Sequence, residues 1–252
     1  MPPRFFVDRT LQAGKPFALP AGAARHVQVL RLQPGAAITL FDGRGGEWAA
    51  SVVQMGRSEV SVQLGAHDVV DRELALPVTL ALGMPANERM DTVIEKSTEL
   101  GAAAIQPLLC ERSVLRLSGE RAQKKVAHWQ AVALGACEQS GRTRVLRVEP
   151  VRALAEWLRG LSGAGNDAGS GQRNGDAAAR WLLGFDAAVP LGSVAAPRAG
   201  VIALSGPEGG FAPAEEALAR AAGFRAVSLG PRVLRADTAP LALLAHLSVT
   251  AP

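Results

Sequence analysis

The sequence predicts a two-domain chain, a small β-barrel or curled sheet followed by an α/β domain with a largely parallel sheet. Up to about Leu64 the apolar residues come in short runs separated by turn-forming segments, and the last run alternates strictly between faces. Beyond Pro77 the period changes, and continuous apolar runs alternate with helical stripes. Between the two lies "DVVDRELALP" (68–77), a charge-rich stretch closing on proline, which sets domains of residues 1–72 and 76–252. A chain of 252 residues is long enough for each part to bury a core.

In the first domain "ITLF" (38–41), "EWAASVV" (47–53) and "EVSVQL" (59–64) read as antiparallel strands joined by "DGRGG" and "QMGRS". An Asp-Gly pair between strands is a hairpin turn before it is an anion-binding nest. In the second domain "VTLALG" (78–83) is a buried strand. A helix over 87–101 follows, with Met90, Val93, Ile94 and Leu100 on one stripe, Asn87 as N-cap and Gly101 as its stop. Strand "AIQPLL" (104–109) precedes a helix from about Gly119 to Ser140, whose stripe is Ala122, Val126, Trp129, Val132 and Ala136. Another face of that helix carries Arg121, Lys124, Lys125 and His128. Strand 144–148, a helix near 152–161, strands 181–185 and 201–204, helix 213–222, strand 226–229 and a helix after Asp237 complete the series. Residues 161–179, rich in Gly, Ser, Asn and Asp and without period, read as a flexible surface loop, with an active-site lid as the alternative.

Composition narrows the class. Apolar residues make up 48% and charged residues 20%, as in an ordinary folded protein. The start "MPPRFFVDRT" lacks a basic region leading into an apolar stretch, and no apolar run approaches membrane-spanning length, so a cytoplasmic protein without membrane association is expected. Cys110 and Cys137 have no metal-ligand spacing, and read as reduced, buried thiols with no metal. A net charge of +4 permits a nucleic-acid partner without demanding one.

Two loops carry the chemistry. "LSGPEGGF" (204–211) follows a buried strand and precedes a helix with Pro213, Glu215 and Glu216 in its first turn. Such a turn at the carboxyl edge of a parallel sheet is where α/β proteins bind ligands, and glycines let the backbone approach one. The spacing is neither that of a dinucleotide fold nor that of a P-loop, and Glu208 opposes a phosphate. A ligand with a positive centre, S-adenosylmethionine foremost, fits better; a tight turn with nothing bound is the alternative. "SLGPRVLRADTAPLALL" (228–244) repeats the arrangement one strand later, with Arg232 and Arg235 in the loop and Asp237 or Thr238 capping a helix.

The blocks "RHVQVLRLQPGAAITLFDG" (25–43), "ERMDTVIEKSTELGAAAIQPLLCERS" (88–113), "ACEQSGRTRV" (136–145), "LSGPEGGF" and "LGPRVLRADTA" (229–239) run nearly end to end, and the chain they form resembles the ribosomal RNA small subunit methyltransferase E family of the SPOUT superfamily. The resemblance implies a PUA-like first domain, a SPOUT second domain whose carboxyl-terminal part (about 200–250) threads a trefoil knot, and a homodimer. It also implies transfer of a methyl group from S-adenosylmethionine to N3 of a specific uridine in 16S rRNA, in the small ribosomal subunit or its precursor. Carried over by position, it assigns cofactor binding to Leu204, Gly206, Pro207, Glu208, Gly209 and Gly210, to Leu229, Gly230 and Leu234, and to a third wall at Leu183 and Gly184.

For the reaction, Arg235 is expected to stabilise negative charge on a uracil oxygen, and Asp237 to take the N3 proton, with a plain helix cap as its alternative. Many members of that family have Thr-Glu-Thr where this chain has Ala236-Asp237-Thr238, a carboxylate shorter by one methylene. Arg4, Arg25, Arg31, Arg89, Arg112, Arg116, Arg121, Lys124, Lys125, Arg142 and Arg144 are the candidates for the RNA path, each with a solvated surface charge as the alternative. A transfer-RNA ribose 2′-hydroxyl as the target, or RNA binding without catalysis, are the competing functions.

Overall fold

The structure is a computed structural model that describes residues 2–14, 16–57, 59–163, 178–184 and 188–250. Its contacts divide the chain into two compact units, Met1–Glu73 with Leu134–Val145, and Leu74–Ala133 with Leu146–Pro252.

The first unit is a five-stranded sheet of β1 (Arg4–Phe6), β2 (Pro16–Ala18), β3 (Ala37–Phe41), β4 (Glu47–Met55) and β5 (Val60–Asp68), covered by α1 (Ala21–Val29). The spatial order is β1-β3-β4-β5-β2, with β1 parallel to β3 and the remaining pairs antiparallel. Asp42 turns β3 into β4 by accepting a hydrogen bond from the Arg44 amide at 3.0 Å, the hairpin role its sequence context predicts. Alternation places Ile38, Leu40, Val52, Val60 and Val62 in the core. Helix α1, absent from the sequence reading, buries Ala23, Ala24 and Val27; it is only nine residues long and opens after Pro20, so its helical spacing is too brief to stand out.

Polar contacts tie residues 134–145 into this unit. The Phe6 amide donates to Glu138 at 2.9 Å, Arg72 donates to the Gly141 carbonyl at 2.9 Å, and the Arg142 guanidinium pairs with the Glu73 carboxylate. Burial holds the Glu138 carboxyl above its ordinary range, against the lowering effect of the Phe6 amide and His26.

The second unit contains β6 (Val78–Gly83), α2 (Asn87–Glu99), β7 (Ala104–Leu109), the beginning of α3 (Gly119–Ser140), β8 (Arg147–Val148), β9 (Arg152–Ala153), α4 (Leu154–Gly163), β10 (Ala179–Leu183), β11 (Val189–Pro190), β12 (Val201–Ser205), α5 (Pro213–Ala221), β13 (Arg225–Ser228) and α6 (Thr238–Thr250). Its sheet runs β11-β13-β10-β12-β6-β7-β8, with β9 also beside β7, and every pairing is parallel. Strict alternation along β6 sends Leu80 and Leu82 into a core with Met90, Ile94, Trp129, Leu243 and Leu247, contributed by α2, α3 and α6. Ala81, Leu182 and Leu204 face the opposite core, with Trp157, Leu158, Ala219 and Phe224 around α4 and α5. The sheet is therefore covered on both sides, as parallel strands require.

The strand expected over 144–148 shortens to β8, because Arg144 instead forms an isolated bridge with Arg44 in the first unit. The loop expected over 161–179 falls mostly on residues outside the described ones; α4 extends to Gly163 and β10 begins at Ala179. Among the described residues no helix is long and apolar enough to cross a membrane.

Candidate active site

The carboxyl ends of β10, β12 and β13 converge on a cleft of about 620 Å³, within the usual range for ligand pockets. Its first wall is the loop after β12. Pro207 to Gly210 forms a turn closed by the Gly210 amide on the Pro207 carbonyl at 2.8 Å, and Gly210 holds φ at 66°, a left-handed conformation that glycine adopts without strain. Below it, Gly83 ends β6: a Cβ there would lie 2.4 Å from Pro207 Cδ, so only glycine lets the loop settle on the sheet.

Glu208 fastens this loop. Its Oε1 accepts the Ala86 amide at 3.0 Å and lies 3.6 Å from Arg89 Nη1. Ala86, not Asn87, is the N-cap of α2; an alanine cannot cap with its side chain, and a carboxylate from the distant loop takes that role at the positive end of the helix. The Glu208 carboxylate is thus already engaged by an amide and near a guanidinium, which weakens the expectation that it selects a positively charged ligand. On the other side Arg112 Nη1 donates to the Gly209 carbonyl at 3.1 Å. Glu215 completes the support, accepting the Ala212 amide at 3.0 Å at the amino end of α5 and the Glu111 amide at 2.8 Å.

The second wall is the loop after β13, which supplies Leu229, Arg232, Val233, Leu234, Arg235 and Ala236. The Ser228 hydroxyl accepts the Gly230 amide at 3.2 Å and donates to the Gly230 carbonyl at 3.1 Å, pinning the turn. The Arg235 carbonyl accepts the amides of Thr238 and Ala239 at 2.9 and 3.0 Å, so the start of α6 fixes the backbone that carries the Arg235 side chain. Leu182, Leu183 and Gly184 at the end of β10 make the third wall.

Of the expected cofactor residues, Leu183, Gly184, Gly206, Pro207, Glu208, Gly210, Leu229 and Leu234 line the cleft, together with Arg235. Leu204, Gly209, Gly230 and Asp237 do not. Leu204 is fully buried in the core, because the strand's alternation turns it away. Gly209 faces Arg112, whose Cβ would lie 3.0 Å from an added Cβ. Gly230 is held in its own turn by Ser228, and the Asp237 carboxylate lies 3.5 Å from Thr238 Oγ1 at the start of α6. Sequence reasoning missed Phe211, Glu216, Arg220, Val227 and Ala239 as lining residues. Phe211 was legible as the residue after the glycine turn; Glu216 and Arg220 were legible as an i, i+4 pair on the helix that the loop opens.

The expected RNA residues divide. Arg4 and Arg142 are corrections: Arg4 pairs with Glu47 and donates to the Arg142 carbonyl, while Arg142, 4% exposed, pairs with Glu73. A guanidinium already desolvated against a carboxylate would have to leave that carboxylate stranded in order to neutralise a phosphate, so neither fits the RNA path. Arg25, Arg31, Arg112, Arg116, Arg121, Lys124 and Arg144 are exposed. Lys125 is half-buried, and Arg89 lines the cleft. Cys110 and Cys137 are buried, and burial, aided by the Glu215 charge, pushes the Cys110 thiol up to about 12, so it stays protonated and inert. Among the described residues no group of three or more His, Cys, Asp or Glu residues is placed to hold a metal ion.

Comparison with known proteins places these features in context. Residues 72–248 match the RNA methyltransferase domain family, and residues 19–65 match the RNA methyltransferase PUA domain. The chain is 35% identical over 224 residues to ribosomal RNA small subunit methyltransferase E of Synechocystis sp., covering 88% of this chain and 68% of that protein. Against the protein of the same name from Bacillus subtilis it is 30% identical over 253 residues, covering 97% of this chain and 95% of the other. Among solved structures, ribosomal RNA small subunit methyltransferase E from Neisseria gonorrhoeae bound to S-adenosyl methionine superposes with a TM-score of 0.87 at 35% identity, over 99% of this chain and 98% of that one.

Proposed function

The chain belongs to the RNA methyltransferase family, with a PUA domain ahead of the methyltransferase domain, and from that premise we propose that it methylates N3 of a uridine in the 16S RNA of the small ribosomal subunit, using S-adenosylmethionine. The observation that carries the reading is the cleft itself: two glycine-containing loops at the ends of parallel strands, with Arg235 on its wall. The residues present fit the cofactor. Leu183, Phe211, Leu229 and Leu234 offer apolar surface for an adenine, and Gly206 is tightly packed, an added Cβ lying 3.3 Å from Gly210 and from the Phe211 ring. A bound S-adenosylmethionine supplies a methyl group made electrophilic by its sulfonium.

The chain's own groups do the rest. Arg235 donates hydrogen bonds to a uracil carbonyl as negative charge builds on the ring; Asp237, two positions on but off the lining of the cleft, is the acceptor proposed for the N3 proton. N3 lies on the Watson–Crick edge, so the cleft takes an unpaired or extruded base. Phe211 and Leu234 offer it apolar surface.

Three further parts belong to this reading. A threaded carboxyl-terminal segment is supported by the strand order, in which β10 separates β12 from β13, and by the return of α6 to pack on α2 and β12. A homodimer is supported by the exposure of Val233 and Val249, 85% and 81% accessible in the second loop and at the end of α6. A domain division at 72–76, with residues 134–145 grouping with the first domain, and a cytoplasmic location complete it.

The deciding experiment compares modified nucleosides in 16S RNA from strains with and without the gene, and then restores the mark with purified protein and S-adenosylmethionine. Reappearance of N3-methyluridine at one position is the expected result. An unchanged nucleoside profile overturns the assignment, and a methyl group found on a transfer-RNA ribose moves the substrate while keeping the cofactor site.

A further inference from the structure

Away from the cleft, one face of α3 gathers Arg121, Lys124, Lys125 and His128 around a shallow hollow of about 330 Å³. The positions i, i+3, i+4 and i+7 place all four on one side of the helix, over about 10 Å of its axis. Among the described residues neither Arg121 nor Lys125 has an ion-pair partner, and the Lys124 pair with Glu120 at 2.8 Å is exposed on both sides, so it screens little.

The platform beneath is packed and hydrogen-bonded. Trp129, fully buried, donates its indole N–H to Asp91 Oδ1 at 3.0 Å, and the other oxygen of that carboxylate holds the His128 ring through Nε2 at 2.7 Å. Gln130 locks the same turn to the chain around β8, donating to the Leu146 carbonyl at 2.8 Å and accepting the Val148 amide at 3.0 Å. A packed helix fixes the backbone that carries these cations, so an arriving anion orders only their side chains, whereas a flexible tail of the same charge would have to be ordered as well.

We infer that this face of α3 is a docking surface for the phosphodiester backbone of the RNA substrate, outside the methylated nucleotide. The inference rests on the RNA methyltransferase reading for its choice of polyanion. Its extent along the helix suits more than one phosphate of a strand, and the four residues that line the hollow include no Phe, Tyr or Trp on which a base could stack, which makes it a reader of charge instead of bases. The surface adds affinity without sequence choice, leaving the target to be selected at the cleft.

The test uses the full chain and an unmodified 16S RNA transcript. Affinity is measured over a range of potassium chloride concentrations for the native protein and for a variant with Arg121→Gln, Lys124→Gln and Lys125→Gln; glutamine keeps helix propensity while removing the charges. The expected result is a loss of about ten-fold in affinity at low salt and a shallower dependence of log Kd on log salt, by roughly 0.7–0.9 for each phosphate no longer neutralised. Thermal unfolding and S-adenosylmethionine titration of the variant serve as controls for fold and cleft. A shallower slope supports the surface whether or not the transcript is methylated, so failure of the assigned reaction is read separately from failure of the docking surface. An unchanged slope, as expected if the face meets an acidic protein instead, overturns the inference.

Discussion

At the scale of single residues, the strongest expectations concern Arg235, Asp237 and Glu208. Arg235 lines the cleft on a backbone fixed by α6, so Arg235→Ala is expected to leave cofactor affinity near native while lowering single-turnover methylation by about 10²-fold, the scale for losing one transition-state donor. Asp237 sits at the start of α6, where asparagine caps as well as aspartate but takes no proton. Asp237→Asn should therefore fold normally and lose activity; full activity across neutral pH would reduce Asp237 to a cap. Glu208 joins the first loop to the amino end of α2. Glu208→Ala is expected to cost about 0.5–2 kcal/mol of stability, the range for a lost cap, and to weaken cofactor binding. Glu208→Gln, which keeps an oxygen for the Ala86 amide, should restore most of both; equal defects in the two variants would show that the charge facing Arg89 matters and the cap does not.

At the scale of elements, the first loop and the end of β6 are one device. Gly83 and Pro207 are far apart in sequence, yet a Cβ on Gly83 would lie 2.6 Å from the Pro207 nitrogen, a backbone atom that cannot swing away. Gly83→Ala is expected to destabilise by about 1–3 kcal/mol through overpacking and to raise the S-adenosylmethionine Kd by displacing the loop. A stable variant with native cofactor affinity in titration calorimetry would mean that the loop tolerates the shift. Regular elements with long, clean periods were the legible ones: β7 and α3 have the bounds that their apolar spacing and flanking glycines predict. The short β1, β2, β9 and β11 were not, because two or three residues carry too little pattern to separate strand from loop, and α1, at nine residues, holds too few turns for its stripe to stand out.

At the scale of the whole molecule, the two units do not follow one cut in the chain. Residues 134–145 group with the first unit, where Arg142 is buried against Glu73 and Glu138 holds the Phe6 amide. From the sequence, residues 78–252 look separable, since they contain both cofactor loops and a complete α/β pattern. Deleting residues before Val78 removes Glu73 and leaves Arg142 without that partner. The fragment is expected to melt well below the full chain in thermal unfolding, because residues 134–145 lose Phe6, Arg72 and Glu73, the groups that hold them. Equal melting temperatures for fragment and full chain would show that residues 134–145 stand without the first unit.

What the sequence determined by itself was local or carried in contiguous motifs. Strand and helix type follow from periods of two and 3.6, turns from Gly and Pro, and the cofactor loops from glycines placed between a buried strand and a capped helix. What only the tertiary structure decided was which groups meet. Arg4 and Arg142 look like any other surface arginines until the fold brings Glu47 and Glu73 to them, across 43 and 69 positions. The cap of α2 comes from Glu208, 122 positions away from Ala86, so no local pattern announces it. Strand order, the turning of Leu204 into the core and the gathering of three strand ends around one cleft belong to the same class. Backbone preference is set by a residue and its near neighbours, whereas burial and charge pairing are set by contacts that exist only once the chain has closed on itself.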